Sequence, residues 1–530
     1  MNTLKSIRSL SPALFVLLCT AASRAQAPAP APAPPAPAPP APAPPAPVPA
    51  TPAVEPALPA LAPQEPAPLA GWHGGLFYLR DPNDDFRLYF QGRAQVDAYS
   101  YFGPGVPDTK LKATLFLRRV RPELSGEFLG HWQWMLAGDF VGATAPIDNA
   151  GGAAGSDAQT VGIRAQPTDV FLNYRVERVF NVQVGQFDAP FTMENRTSDK
   201  YIPFMERALA ARTLGIPSNK EIGAMLWGET SDRLLFYSVG VFNGDGQNRP
   251  NLDNQGEVIG RLFTHPMQAG PLKDAQIGAS FLYGGRSTYY IYYNYPNMGT
   301  QGNFTFWRST YGSMPSTRII PNGVQSAFAG EVRVPFDQFD LTGEFVYVKN
   351  GTREAFDGLQ SKFTERKGDL HGYAYYAQIG WWPLGNRDIN GQPGYENPSH
   401  VDLAKKDPAT PARALQLLVK WEQLHATYAS ASRTGSVNPM ANIDGDIKLN
   451  ALSLGANYWA SKHVRLSLNY VLDMFPGSEP AKATAMGRPA QTSAQRAVAP
   501  GNTLDAGVND DARDNAHVLH EVLARLAVAF

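Results

Sequence analysis

Val464-Arg465-Leu466-Ser467-Leu468-Asn469-Tyr470 alternates apolar and polar side chains without a break. Successive side chains of a β-strand point to opposite faces, so this run has one face for lipid and one for water. The pattern recurs. Ala94, Val96 and Ala98 interleave with Arg93, Gln95 and Asp97. Val170, Leu172, Tyr174 and Val176 interleave with Asp169, Asn173 and Arg175. Leu415, Leu417, Val419 and Trp421 interleave with Gln416, Lys420 and Glu422. A water-soluble antiparallel sheet also alternates, and the links between runs separate the two cases. About sixteen such runs follow Trp72. Short turns near Leu129-Gly130, Arg178-Val179, Thr230-Ser231, Asp337-Gln338 and Ala460-Ser461-Lys462 alternate with long loops. The loops fall near 103–111, 143–164, 188–219, 244–255, 285–323, 350–369, 425–448 and 475–514. Short links at one rim and long loops at the other predict an all-β fold, a transmembrane antiparallel up-and-down β-barrel. One stretch, 383–412, is long where a short turn is due and reads as a periplasmic insertion or as a place where the strand count differs.

The rest of the chain fits this frame. After the first thirty residues no run approaches the ~18 apolar residues of a spanning helix. Lys5 and Arg8, the apolar Ala13–Ala22 and the small residues at Ser23-Arg24-Ala25 read as a signal peptide over 1–25. Residues 26–70 are nearly all Pro and Ala, a composition that favours extended polyproline II. Such a linker reaches up to ~140 Å. It is an unstructured spacer or a periplasmic arm that binds peptidoglycan. The barrel domain is then 71–530. The single cysteine, Cys19, falls in the signal peptide, so the mature chain offers no disulfide, thiolate metal site or cysteine nucleophile. Removing Lys5, Arg8 and Arg24 leaves 43 basic against 47 acidic residues, a charge of −4 that argues against a nucleic-acid partner.

Val522, Ala524, Leu526, Val528 and Phe530 form one apolar face of a last strand, and the aromatic Phe530 reads as a barrel-assembly signal. Trp132, Trp134, Trp227, Trp381, Trp382, Trp421 and Trp459 lie at or near strand ends, as the aromatic girdles of membrane barrels do. Tyr289–Tyr293 falls in a long loop.

Several short segments stand out together: Phe116-Leu117-Arg118-Arg119-Val120-Arg121-Pro122-Glu123-Leu124-Ser125-Gly126, Val184-Gly185-Gln186-Phe187-Asp188-Ala189-Pro190-Phe191 with Glu194, Met205-Glu206-Arg207-Ala208, Gly240-Val241-Phe242-Asn243-Gly244, and Leu454-Gly455-Ala456-Asn457-Tyr458-Trp459 leading into Val464-Arg465-Leu466. In sequence and in order, across most of 72–530, they resemble the phosphate-selective porin O and P family. The resemblance implies a sixteen-stranded outer-membrane barrel, usually a homotrimer, that passes small anions such as phosphate or polyphosphate. Asp188 and Lys220 depart from the family's pattern, which commonly has a basic residue at the first position and often an arginine at the second.

A pore selects by constriction and lining charge. The long loop 188–219 is expected to fold inward as the constriction, carrying Arg196, Lys200, Arg207 and Arg212 against Glu194, Asp199 and Glu206, with a short helix over Met205–Arg212. Arg119 and Arg121 share parity with Glu123, Ser125 and Glu127 and are expected on the water face. Arg93, Arg175, Arg261 and Arg465 are expected inward too. Arg118, on the opposite parity, is expected outward, near a membrane edge or a neighbouring subunit. Arginine suits anion selection because its planar fork grips oxyanions at two points and stays charged. The alternative role for these arginines is a wall-stiffening network with Glu123, Glu127, Asp97 and Glu344. No HExxH or paired-histidine spacing and no GxSxG nucleophile turn is present, so neither enzyme chemistry, a metal nor a cofactor is implied. Three functions remain open: an anion-preferring porin, a general or carbohydrate-passing porin, and a structural anchor tied to the cell wall by the Pro/Ala arm.

Overall fold

The computed structural model describes residues 68–530 except 74–75, 104–112, 142–164, 218, 288–294, 297, 308, 312–316, 357–362, 391–397, 399, 401, 404–408, 433–443 and 476–517. The expected signal peptide, nearly all of the Pro/Ala linker and Tyr289–Tyr293 lie outside the described residues.

Sixteen strands make the wall. They are β1 (Phe86–Phe102), β2 (Thr114–Phe128), β3 (Trp132–Asp139), β4 (Gln166–Glu177), β5 (Phe180–Asp188), β6 (Lys220–Glu229), β7 (Leu235–Phe242) and β8 (Glu257–Thr264), then β9 (Gln276–Ser287), β10 (Thr317–Phe336), β11 (Phe339–Phe356), β12 (Phe363–Leu384), β13 (Ala414–Ser432), β14 (Asp444–Ser461), β15 (Val464–Met474) and β16 (Val518–Ala529). Each pairs antiparallel with the next, and β16 pairs with β1 from His520↔Phe102 to Ala529↔Arg93, closing the cylinder. Alternation sets the faces. Leu466 and Leu468 are 49% and 54% exposed, whereas Arg465, Ser467 and Asn469 beside them are 6% or less. No helix among the described residues is long and apolar enough to cross a membrane.

The short turns fall where the sequence places them, helped by left-handed backbone at Leu129, Gly130 and Asp337. Three loop expectations are too long. β11 runs to Phe356 and β12 starts at Phe363, so much of 350–369 is strand; likewise β13 and β14 take most of 425–448, and β9 and β10 the ends of 285–323. On the outward side of β13 here stand His425 and Thr427, both polar, so no lipid face marks the stretch as strand. At the turn rim a second link, 265–275, is also extended, and the link 385–413 is the expected insertion.

That insertion crosses the turn rim. It opens with a 3₁₀ turn, Arg387–Asn390, whose Asn390 donates to the Tyr201 carbonyl (2.8 Å). Farther on, His400 Nδ1 lies 2.8 Å from Glu127 on β2, and Leu403 packs beside Tyr78 and Tyr89. Tyr78 belongs to a hairpin, Ala70–His73 with Leu76–Arg80, that pairs with the lower end of β1 (Phe77↔Phe90). There β16 has already ended, and the hairpin covers an edge that would otherwise be open. Phe530 packs on Phe90 at 5.5 Å and exchanges backbone hydrogen bonds with Gly92 (2.8 and 3.0 Å).

The tryptophan girdle holds only in part. Trp381 and Trp421 face outward, but Trp227, Trp382 and Trp459 are buried inside. Trp227 donates to Asn173 Oδ1 (2.9 Å), and Trp382 stacks on Trp459 at the turn rim (5.2 Å). A register shift between Trp381 and Leu384 upsets the parity there. The interior also carries more apolar residues than a water-filled tube would, because two loops pack into it. Phe187, Phe191, Leu209, Phe304, Phe306 and Trp307 join Val346, Val348, Leu424 and Leu449 in one buried cluster.

A basic cavity beside the inward loop

The segment 189–219 leaves β5, crosses the lumen and returns to β6. Its base is clamped where Asp188 and Lys220 stand opposite each other, with Lys220 Nζ 2.9 Å from Asp188 and 2.6 Å from Asp169. Asp188 and Lys220 are therefore joined as an ion pair, which Asp169 shares. A chain threaded through a lumen must still satisfy its backbone polar groups. Wall side chains do this. Glu344 accepts from Glu194 N (2.7 Å), Glu422 from Leu209 N (2.6 Å), Asn469 from Met205 N (3.0 Å) and Ser280 from Thr192 N (3.1 Å). The helix is shorter and later than expected: α1 is Leu209–Thr213, with Leu209, Ala210, Ala211 and Thr213 buried against the wall. The described part of 288–316 also enters the lumen, where Glu521 accepts from Gly302 N (2.7 Å) and Gln301 donates to Glu422 (2.9 Å).

On the β1–β3 side the loop meets the arginines. Asp199 contacts Arg93 and lies 2.7 Å from Arg119 Nε and 3.9 Å from Arg121. Glu206 takes both nitrogens of a fork from Arg118 (2.9 and 3.0 Å), lies 2.9 Å from Arg525 and 3.6 Å from Arg119. Wall acids complete the network: Glu123 with Arg93 (2.8 Å) and Lys200 (2.9 Å), Asp139 with Arg121 (3.1 Å), and Asp97 with both forks of Arg525 (2.7 Å each). Burial pushes the Asp199 carboxyl up, but Arg93, Arg119, Arg121 and Arg207 outweigh it and hold the group well below the usual carboxylate range. Glu206 is lowered in the same way, with Arg118, Arg119 and Arg525 overcoming its burial. Lys200 is raised, Glu123 overcoming the opposite push of burial.

Arg118 corrects the sequence reading. Gln95 pairs with Arg119 and Val96 with Leu117, so Arg118 is the extra residue of a β-bulge. The bulge turns both arginines inward and leaves Leu117 and Leu115 outside. Arg93, Arg119, Arg121, Arg261 and Arg465 face inward as expected, but they differ in what holds them. Arg261 is locked in a fork with Glu331 (2.9 and 2.7 Å), away from the loop. Arg175 is at the turn rim, donating to the Gly130 carbonyl (3.0 Å). Arg196 donates to the Asp188 carbonyl at the loop base. Arg207 donates to the carbonyls of Glu194 (3.1 Å) and Thr197 (2.7 Å), and Arg465 to that of Ile202 (3.1 Å). Arg212 has two buried nitrogens, Nε and Nη1, with no hydrogen-bond partner among the described residues. Arg207, Arg212 and Arg465 thus carry no salt bridge among the described residues.

Between loop and wall lies a polar cavity of about 370 Å³. Seven basic residues line it (Arg93, Arg118, Arg119, Arg121, Arg207, Arg212 and Lys220) against four acids (Asp139, Asp188, Asp199 and Glu206). Sequence reasoning missed Arg118, Arg525 and the second inward loop. Arg525 was readable, because it alternates with Ala524 and Leu526. For Arg118 the doubled arginine was the one available cue.

Several solved structures have a similar shape. The outer-membrane-expressed OmpT of Vibrio cholerae shares 8% identity over 86% of this chain and 100% of its own (TM-score 0.45). The outer membrane channel DcaP of Acinetobacter baumannii shares 10% over 85% and 99% (0.44). An anion-selective porin from Comamonas acidovorans shares 12% over 84% and 100% (0.40). No match is found among curated proteins. The family described as phosphate-selective porin O and P matches residues 89–495, most of the barrel including both inward loops, and the chain belongs to that family.

Proposed function

We propose that the protein passes small anions, with phosphate and polyphosphate first. Family membership makes it an outer-membrane channel. The observation that supports an anion preference is the cavity lining, where basic residues outnumber acidic ones by seven to four. Water-excluding walls strengthen the field of that surplus. Arg207 and Arg212 at the cavity, and Arg465 beneath the loop at the Ile202 carbonyl, add positive charge that is locked in no salt bridge among the described residues. The paired arginines add a surface that oxyanions can enter by exchange. A second reading, a general or sugar-passing porin, draws support from the same network, since Asp199 and Glu206 neutralise much of the arginine wall.

One experiment separates them. In planar bilayers under a KCl gradient the pore should show an anion-directed reversal potential, and inorganic phosphate should block chloride current. The triple variant R207A/R212A/R465A should lose most of both effects. A wild-type reversal potential near zero with no phosphate block would leave the general porin standing.

The remaining assignments follow from position. Residues 1–25 direct export and 26–70 form an arm on the periplasmic side. Support comes from the last residues of that arm: Pro68 and Leu69 accept hydrogen bonds from Arg80 at the turn rim (3.2 and 2.8 Å). Phe530, packed on the seam, serves as the assembly signal.

A further inference from the structure

Asp199 is the point where the loop's negative charge touches the arginine wall. Three guanidiniums from two strands converge on it, Arg93 from β1 and Arg119 and Arg121 from β2. Each of the three also has a wall partner that holds it without Asp199: Glu123 for Arg93 (2.8 Å), Gln95 for Arg119 (2.8 Å) and Asp139 for Arg121 (3.1 Å). Asp199 is not required to position them. The loop, in turn, is pinned one residue later, where Lys200 reaches Glu123 (2.9 Å) and Gln91 (3.3 Å). The Asp199 side chain can therefore leave its arginines while the backbone stays. The same three arginines and Asp199 line the cavity, so there is room beside the carboxylate for an incoming ion.

We propose that Asp199 is a tethered counter-ion: its carboxylate fills the arginine site between passages, yields to a permeating multivalent oxyanion, and returns to help expel it. This rests on the anion-channel reading above. A phosphate group offers several oxygens and more charge than one carboxylate, so it engages three guanidiniums at once, which chloride cannot do with forked geometry. Throughput needs binding that is strong enough to admit the ion and weak enough to release it. A carboxylate held beside the site competes at a high effective concentration without ever diffusing away. Asp199 then sets specificity and residence time together, exchanging ion pair for ion pair with no bond made or broken.

The test uses the full-length protein in a C19S background, which removes the chain's one cysteine. Inorganic phosphate is titrated against chloride current through wild type, D199N and D199C. The phosphate concentration for half block should fall by about tenfold in both variants, and each blocked interval should lengthen. Chloride conductance at high KCl is recorded alongside as a report on the size of the passage. A negatively charged thiosulfonate reagent on D199C should restore the weaker block, and a neutral one of similar size should not. Block that is unchanged or weaker in D199N and D199C makes Asp199 a strut and overturns the proposal, as does equal rescue by both reagents. D199C with its two reagents decides the matter even if D199N fails to insert. Wild-type pores indifferent to phosphate would instead overturn the anion-channel reading, and this inference with it.

Discussion

What a buried arginine does here is decided by its partner. Arg261 and Glu331 are 3% and 5% exposed and joined fork to fork, so removing one strands the other's charge. R261A should cost ~3–5 kcal/mol, seen as folded barrel lost at lower urea, while a double change to matched apolar residues should be near neutral. The opposite case is Arg207, which donates to two carbonyls and forms no salt bridge among the described residues, so R207A should shift the reversal potential with little change in urea resistance. Asp199 and Glu206 make a pH prediction. Their folded values are depressed, so the stability they lend is complete above the ordinary carboxylate values of about 3.9 and 4.3 and is lost as pH falls through the lower folded ones. The loop should stay docked from neutral pH down to about pH 4.5 and release in stronger acid, which conductance steps recorded across that range will check. At this scale parity was legible: alternation alone put Arg93, Arg119, Arg121, Arg261 and Arg465 inward. Glu123 was legible as a wall partner and pairs with Arg93; Asp199 and Glu331 were not, because they reach their arginines across strands and through a loop whose path no local pattern encodes.

Among the elements, β2 shows where local reading stops. Its bulge arises from how β2 registers on β1, so Arg118 looks outward by counting and is inward in fact. Deleting Arg118 should leave an unbroken two-residue alternation with Leu117 outside and Arg119 inside. The variant should still form a heat-modifiable barrel on gels but dock its loop more weakly, because Glu206 loses a forked partner; failure to fold would mean the bulge is needed for closure. The seam makes a second case. A side chain at Gly92 would meet the Phe530 ring at 3.0 Å and the Arg121 carbonyl at 2.9 Å. G92V should therefore lower the yield of assembled barrel more than F530A, which removes only the ring contact with Phe90. The turns were legible because residues such as Gly130 and Asp337 supply the backbone a tight link needs. The outer thirds of β11–β14 were not, since strand above the membrane has no lipid face to announce it.

Across the whole molecule the wall is uneven. β3, β7 and β8 have 8 residues each and β5 has 9, whereas β10 has 20 and β12 has 22. Eight residues at ~3.4 Å, tilted by ~40°, rise only ~20 Å, less than the apolar band of ~25 Å. The short side presents Val184, Val239 and Val241, and the tall side Phe328, Phe345 and Trp381. A homotrimer, as the family resemblance implies, is expected to cover this short wall with a second copy. V184C should then resist a lipid-dissolved thiol reagent in the assembled protein while F328C reacts; equal labelling would count against it. The buried apolar cluster has a consequence of its own. Strand number fixes the circumference, but two loops and their packing occupy much of the cross-section, leaving the basic cavity off to one flank. The consequence expected is electrical: current through so wide a ring should be set by that flank, not by the count of strands around it.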